Sequence, residues 1–413
     1  MEENSRYAVG IDIGTTTVRC VVGHIDGATG TPTIVGVGSA KNSGMRKGNV
    51  ANLTGPATAI DDALGEAERM SGYQVNAATV SINGSHILST KTDGMIAVGA
   101  SDHEVTPDDL ARLEDVATVG KVPANRNVIE VVPYSYSLDG QDNIKDPVGM
   151  MGTRLEINAN VVSVLTPYLQ NLQKSADLAK VQPRSVVPAV LASSRAVLSE
   201  QQMESGVAVI DLGGATTSIA VYEEGDLQFV SCIPVGSNNI TNDLAIGLKT
   251  DPEIAERVKL SHGVAIARAD EEGVGIKHED EVLNFSSRDI DEIVEARLEE
   301  IFEAVHKELK KAGRAGKLPS GVVLTGGGAN LKHIADFAKE KLGLAARIGK
   351  SSGYAGVADN IENPEFATAI GLMLLDSETT PQRKSSNGAV GGASTAIKSA
   401  SGAFSKLLGR FKV

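Results

Sequence analysis

The chain has no tryptophan, and aromatic residues make up only 3% of its 413 positions. Single-stranded nucleic acid is held by exposed aromatic rings on which bases stack, so that class of partner is disfavoured from the outset. An excess of positive charge is missing too. Acidic residues number 52 against 39 basic ones, a net charge of −13, whereas phosphate backbones are held by basic surface. Cysteine occurs twice, at Cys20 and Cys232, each inside an apolar run, which reads as two buried thiols rather than a disulfide or metal site. The seven histidines show no metal-ligand spacing, and His262 and His278 read as surface residues. No apolar run approaches the ~18 residues that span a bilayer. The first candidate, residues 7–22, is interrupted by Asp12 and Arg19, and the polar, acidic stretch before it lacks the basic start of a signal peptide. These absences lead to the expectation of a soluble cytoplasmic body, large enough for two or three domains.

What the chain does have is a repeat. Residues 8–22 read AVGIDIGTTTVRCVV and residues 208–221 read AVIDLGGATTSIAV. Each is an apolar β-branched strand, then Asp, an apolar residue and Gly, then a short Gly/Thr-rich stretch leading into a second strand. A repeat about two hundred residues apart predicts two similar domains, because solenoid periods are roughly 20–50 residues. The chemistry of the turns points to phosphate. Gly14, Gly213 and Gly214 let the backbone approach a ligand closely, and Thr15, Thr16, Thr17, Thr216 and Thr217 add hydroxyl donors to the turn N–H groups. Asp12 and Asp211 at the strand ends would repel a phosphate unless they hold a hydrated Mg²⁺, a cation that keeps several of its waters. A third element, VVLTGGGANLKHI at 322–334, runs a buried strand into Gly326, Gly327 and Gly328 and then a helix. Small residues there leave room for a base or ribose against backbone.

Around these motifs the pattern is α/β. Helices are expected at 55–70, 168–180, 193–200, 239–248, 289–312 and 331–341, and strands at 76–82, 128–136, 184–188 and 322–324. A hairpin is expected over 87–98, turning at Asp93-Gly94, followed by a helix capped at Thr106-Pro107. The division that follows is a first lobe over 1–83 and 161–205, interrupted by a small α+β subdomain at 84–160. The second lobe has an inner part at 206–235 and 313–375 and an outer part at 236–312.

Composition changes after Leu375. Residues 376–395 are rich in Ser, Thr, Gly, Pro and Ala without apolar periodicity, the signature of a disordered linker. Residues 396–413 are patterned again. At 3.6 residues per turn Ile397, Phe404, Leu407, Leu408 and Phe411 fall on one face, Lys406 and Arg410 lie opposite, and Lys412 sits at the flank. This segment holds four basic residues and no acidic one, and the chain from Asp376 onward carries +4 against −17 for the rest. An amphipathic helix beyond a linker fits a membrane interface, where each Lys or Arg near anionic lipid adds about 1 kcal/mol.

The three Gly-rich elements, in this order, resemble the phosphate 1, phosphate 2 and adenosine motifs of the actin, heat-shock chaperone and sugar-kinase superfamily. The stretches VVPAVLASSRAVL and ENPEFATAIGLMLL are similar to its two connecting helices. Within the superfamily the chain resembles the FtsA family of bacterial cell-division proteins, through INGSHILSTKTDGMIAVG at the start of the insertion, IAERVKLSHGVA at 254–265, and the amphipathic tail. The resemblance implies an actin-like, ribonuclease-H-like fold of two lobes with ATP and Mg²⁺ in the cleft, Asp12 and Asp211 near the metal, and Glu256 and Lys259 at the adenine and ribose. It also implies assembly into filaments, a peripheral place on the cytoplasmic membrane at the division site, and anchoring of the tubulin-like protein FtsZ. The C-terminal peptide of FtsZ would dock on the outer part of the second lobe, at Arg297 and, second to it, Arg288. Residues 186–198 offer no carboxylate or amide to orient a water, so at most feeble ATPase activity is expected. The competing expectations are a PilM-like pilus-assembly adaptor, which would not need the tail, and a small-molecule kinase, which would need an acid at 186–198.

Overall fold

A computed structural model describes residues 6–26, 30–99, 102–278, 281–356 and 361–378. The amphipathic segment 396–413 and most of the linker before it lie outside the described residues. The chain opens with strands β1 (Arg6–Ile13), β2 (Thr17–Ile25) and β3 (Pro32–Lys41), a two-residue pair β4 (Met45–Arg46) and β5 (Asn49–Val50), helix α1 (Thr54–Ser71) and strand β6 (Ala77–Ile82). Next come β7 (Leu88–Ala97), α2 (Pro107–Thr118), β8 (Arg126–Leu138), β9 (Gln141–Ile144) and β10 (Arg154–Leu165), then α3 (Thr166–Leu178), β11 (Gln182–Pro188), α4 (Ala189–Val197) and α5 (Glu200–Ser205). The remainder is β12 (Val207–Leu212), β13 (Thr217–Glu223), β14 (Asp226–Ile233), α6 (Ser237–Gly247), α7 (Pro252–His262), β15 (Gly273–His278), β16 (Glu281–Ser286), α8 (Ser287–Lys311), β17 (Val322–Thr325), α9 (Ile334–Leu342), β18 (Ala346–Ile348) and α10 (Ala367–Glu378).

The repeat seen in the sequence is a repeat of topology. One five-stranded sheet has the order β3-β2-β1-β6-β11 and another β14-β13-β12-β17-β18. In each, three consecutive strands meander antiparallel and two later strands add in parallel beside the first. Parallel pairs need crossovers, and the crossovers carry what distinguishes the halves. Between β6 and β11 lies the β7-β10-β8-β9 sheet with α2, while between the β12–β14 meander and β17 lie α6, α7, the β15–β16 hairpin and α8.

The inserted sheet buries its two faces differently. Leu155, Ile157, Ala159 and Val161 of β10 form one core with Leu113 and Ala117 of α2, whereas Val162 and Val164 join the core of the first sheet. The sheet is thus packed between α2 and the body. Thr106 caps α2 reciprocally with Asp109, as its sequence predicts. The hairpin at Asp93-Gly94 does not form. β7 runs straight through it, paired to β10 with Gly94 opposite Ile157. A Cβ at Gly94 would lie 3.1 Å from the Ala117 backbone nitrogen, so this glycine admits the crossing helix rather than a turn. The helix expected at 193–200 begins earlier and stops at Val197, because Ser199 starts α5 with its own capping box to Gln202. His333 takes a left-handed φ of 62° and delays α9 to Ile334.

α4 and α10 cross at the centre. A Cβ at Gly371 of α10 would sit 1.7 Å from the Ala192 carbonyl oxygen, and one at Gly10 of β1 would sit 2.3 Å from the Ala369 carbonyl oxygen. Backbone packs directly on backbone at both points. α10 ends on a buried carboxylate: Asp376 accepts from the Val9 N–H at 2.8 Å, from the Thr79 hydroxyl at 2.9 Å and from Arg184 Nη1 at 2.5 Å. One side chain therefore ties the last helix to β1, β6 and β11.

Candidate functional site

The two Asp-Gly-Thr turns are built alike. A Cβ on Gly14 would lie 2.6 Å from the Thr17 carbonyl oxygen, and one on Gly213 would lie 2.9 Å from that of Thr216, so neither turn tolerates a side chain. Their carbonyls are occupied from behind. Asn42 donates its backbone N–H to Thr16 and its Nδ2 to Gly14, both at 2.8 Å. Ser237 and Asn238, at the start of α6, donate N–H groups to the Gly213 and Gly214 carbonyls at 2.9 and 2.7 Å. The Gly213 N–H closes its turn onto the Thr216 carbonyl at 2.9 Å, and the glycines and cavity-lining threonines of both turns form an arrangement suited to an anion. A Cβ on Gly214 would be 3.0 Å from Thr16 Cγ2, so the turns of the two lobes touch.

Between them lies a cavity of about 700 Å³, the size of a small-molecule site. Asp12, Gly14, Thr15, Thr16 and Thr17 line it from the first lobe, and Asp211, Gly213, Gly214 and Thr216 from the second. Thr217 does not: it is fully buried, and its hydroxyl donates to the Val235 carbonyl at 2.8 Å. Gly326, Gly327 and Gly328 form another wall, each differently. Gly326 has φ 81° and would bring a Cβ to 2.3 Å from Asp211 Oδ1, Gly328 presses on Leu212, and Gly327 faces open space. Glu256 and Lys259 also line the cavity, one helical turn apart on α7. Lys259 is buried and donates to Glu256 Oε2 at 2.7 Å, to Thr241 Oγ1 at 2.8 Å and to the Ser237 carbonyl at 3.3 Å.

The electrostatics centre on the two aspartates. Asp12 accepts from Ser81 Oγ at 2.8 Å, and that oxygen accepts from the Ile13 N–H at 2.8 Å. Burial raises the Asp12 carboxyl above its usual range, opposed by Ser81 and by Arg19, its pair across β1 and β2. Asp211 is pushed up to about 7, first by burial and then by the negative charge of Asp12, with Arg19 and a hydrogen bond from Thr368 opposing. Among the described residues no three His, Cys, Asp or Glu side chains gather as a direct metal cage.

Residues that sequence reasoning missed also reach the cavity: Arg19, Asn83, Ser237, Asn238 and Thr368. Gly236-Ser237-Asn238 after a strand was a legible helix-start signal. Asn83 and Thr368 carried none, since each matters only once distant segments meet. Arg297 lies elsewhere, on α8, where it forks onto Asp243 at 2.5 and 3.0 Å and reaches Glu300 at 2.5 Å. It borders a hollow of about 280 Å³ between α6 and α8, with Ile246 77% exposed beside it. Arg288 pairs with Glu292 at the exposed start of α8 and does not line that hollow.

Two lobes of one sheet topology, each presenting the same turn to a shared cleft, define an actin-like protein. Solved structures agree in fold: a PilM-PilN type IV pilus biogenesis complex (TM-score 0.65, 16% identity, 90% of this chain and 99% of that one). MreB5 of Spiroplasma citri bound to ADP matches at TM-score 0.55 and 14% identity over 90% and 96%, and the MamK double helical filament at 0.52 and 12% over 91% and 100%. The family model for cell division protein FtsA matches residues 208–371, and that for the SHS2 domain inserted in FtsA matches residues 84–163. FtsA of Pseudomonas aeruginosa is 33% identical over 376 residues, covering 90% of this chain and 89% of the relative. FtsA of Neisseria meningitidis serogroup B is 35% identical over 380 residues, covering 90% and 91%. The chain belongs to the FtsA family of cell-division proteins.

The aspartate pair predicts a pH dependence. Burial and the charge of Asp12 push the Asp211 carboxyl up from its usual 3.8 to about 7 in the folded chain. The native state therefore holds the extra proton across that window, so this pair's contribution to stability falls as pH rises through it and levels off above. Thermal melts of the ligand-free protein should show Asp211→Asn melting above wild type at about pH 8, with the gap closing toward about pH 4. A variant that melts no higher than wild type at the upper pH refutes this reading of the pair.

Proposed function

We propose that the cleft binds ATP with Mg²⁺, and that the chain is a membrane-tethered, self-associating adaptor that anchors FtsZ during division. The observation that carries this is the pair of duplicated turns meeting over one cavity. Their donors suit phosphate oxygens, and the Gly326–Gly328 wall leaves space for a nucleoside. Asp12 and Asp211 fit a divalent cation: two buried carboxylates share one guanidinium, and the absence of a direct cage among the described residues suits Mg²⁺ held through its waters. The Glu256–Lys259 pair offers a fixed acceptor and donor for sugar hydroxyls. MreB5 bound to ADP and the MamK filament support nucleotide binding and self-association by shared fold.

Slow hydrolysis is part of the proposal. Of α4, which supplies no carboxylate or amide, only Ala189 lines the cavity, so the nucleotide acts chiefly as an ordering ligand. Membrane attachment rests on residues 396–413; among the described residues no helix is long and apolar enough to cross a bilayer. FtsZ docking rests on Arg297 and the hollow beside it, where a peptide carboxylate would compete with Asp243 for the guanidinium while apolar side chains cover Ile246 and Ile293. Arg288 contributes longer-range charge. The PilM reading has the fold in its favour but gives no role to the tail.

Calorimetry should find ATP uptake that requires Mg²⁺ and weakens by about tenfold or more in Asp12→Ala. No uptake, or unaltered uptake in the variant, removes the cleft assignment. Liposome flotation on anionic vesicles should float the full chain and leave a chain ending at residue 395 in the pellet; equal flotation would favour the pilus-adaptor reading. Arg297→Glu should weaken binding of the FtsZ C-terminal peptide by about tenfold, the scale of an interface hot spot, with ATP affinity unchanged. Undiminished peptide binding would move the partner site off α8.

A further inference from the structure

The inserted subdomain belongs by chain order to the first lobe, yet it grips the second. Its hold is on the hairpin β13–β14, which grows directly out of the second Asp-Gly-Thr turn. The strands pair from Thr217↔Ile233 at the cleft end to Glu223↔Asp226 at the far end. At about 3.3 Å per residue this is a rod of roughly 20 Å, held at one end by the residue that leads into the insertion and at the other by the insertion itself.

At the cleft end the contact is Asn83, which follows β6 where the chain enters the insertion. Its Nδ2 donates to Thr216 Oγ1 at 3.0 Å, while its Oδ1 accepts from Ser218 Oγ at 2.9 Å and lies 3.2 Å from Cys232 Sγ. One amide thus reads the turn, the first strand and the second strand of the hairpin together. The position is specific to this lobe. Ser218 pairs with Asp211 as Arg19 pairs with Asp12, so a hydroxyl that answers Asn83 stands where the first lobe has its guanidinium. At the far end, Lys145 of the insertion pairs with Asp226 and also donates to the Glu224 carbonyl at 3.4 Å. Asn160 of β10 donates through Nδ2 to the Leu227 carbonyl. Between the two ends, Val132 and Val162 of the inserted sheet share a buried core with Leu227 and Val230 of β14, an edge strand that β7, β8 and β10 cover.

We propose that the inserted subdomain senses nucleotide through this double hold: a phosphate that engages the Thr216 turn draws on Asn83 and shifts the hairpin, and the Lys145–Asp226 and Asn160–Leu227 contacts carry the shift into the inserted sheet. Asn83 and Lys145 act as positioning residues, through the hairpin. The entry point is built to turn, since Gly84 has φ 130° and a Cβ there would lie 2.7 Å from Asn49 Oδ1. A hairpin held by main-chain ladders moves as one body, so displacement at one end appears at the other.

The proposal rests on the cleft binding nucleotide, and the test separates the two. Hydrogen exchange of the full chain, with and without saturating Mg²⁺·ATP, should show protection in both Asp-Gly-Thr hairpins and, by about fivefold or more, in β8 and β10 of the insertion. Lys145→Met, remote from the cavity, should take up ATP as wild type does by calorimetry and keep the cleft protection, but lose the ATP-dependent difference in β8 and β10. Lys145→Arg should restore it. A merely structural role would raise exchange equally in both states and leave that difference intact. Asn83→Ala, breaking the other end, should show the same loss at nucleotide saturation. Wild-type uptake of ATP with no response in β8 and β10, or a full response in either Lys145→Met or Asn83→Ala, overturns the coupling alone; no uptake by wild type overturns the cleft reading and the coupling with it.

Discussion

Two carboxylates that would each prefer water are buried at the meeting of the lobes, and much of the architecture follows from keeping them there. Asp12 and Asp211 sit at equivalent strand ends of two sheets with the same strand order, each beside a turn that no side chain fits. One guanidinium, Arg19, opposes both negative charges, and burial outweighs it. Apart from a ligand, such a pair is a cost, since like charges in a dry site hold a proton that water would release. A fold that retains this cost on both sides of a cavity has stored a preference for whatever neutralises it. Stability and the affinity for such a ligand are then linked through the same pair.

The lobes can share that cavity because α4 and α10 cross with backbone against backbone at Gly371 and Ala192, and α10 lies as closely on β1 at Gly10. A side chain at Gly371 would push α4 off α10, and one at Gly10 would push β1 off the same helix. Asp376 fixes the end of the same helix to three strands, and the chain beyond it leads to the basic, amphipathic segment. The backbone crossing with α4 and the carboxylate that fixes the helix end are therefore parts of one helix.

The sequence made the turns, the third glycine cluster and the long amphipathic α8 legible because each depends on local chemistry: strand, Gly and Thr in series, or an apolar stripe at helical period. Part of the cavity wall could be named from such patterns, and Glu256 and Lys259 from the family resemblance. Thr217 looks the same in sequence as Thr17, and only the neighbouring Val235 carbonyl, which takes its hydroxyl, removes it from the cavity. Asp93-Gly94 was misread as a turn because the composition of a hairpin turn is also that of a strand residue over which a helix passes; only the neighbour Ala117 decides between them. Asn83 and Thr368 were invisible for a deeper reason. Their function is to touch a segment more than a hundred residues away, and no local periodicity encodes that.

The same packing bears on catalysis. α4 touches both central sheets and α10, and every residue on it except Arg195 is buried. An acid on this helix would be desolvated on all sides unless it pointed into the cavity, and Ala189 is its one residue that does. A tight hinge and a carboxylate poised over a bound water thus compete for a single helical position. With alanine there, the helix packs closely and presents no water-orienting group to the cavity. On the proposed reading, a cleft arranged in this way holds a nucleotide rather than turning it over, and a held nucleotide is what the proposed coupling through β13–β14 requires: a signal that persists as long as the hairpin stays displaced.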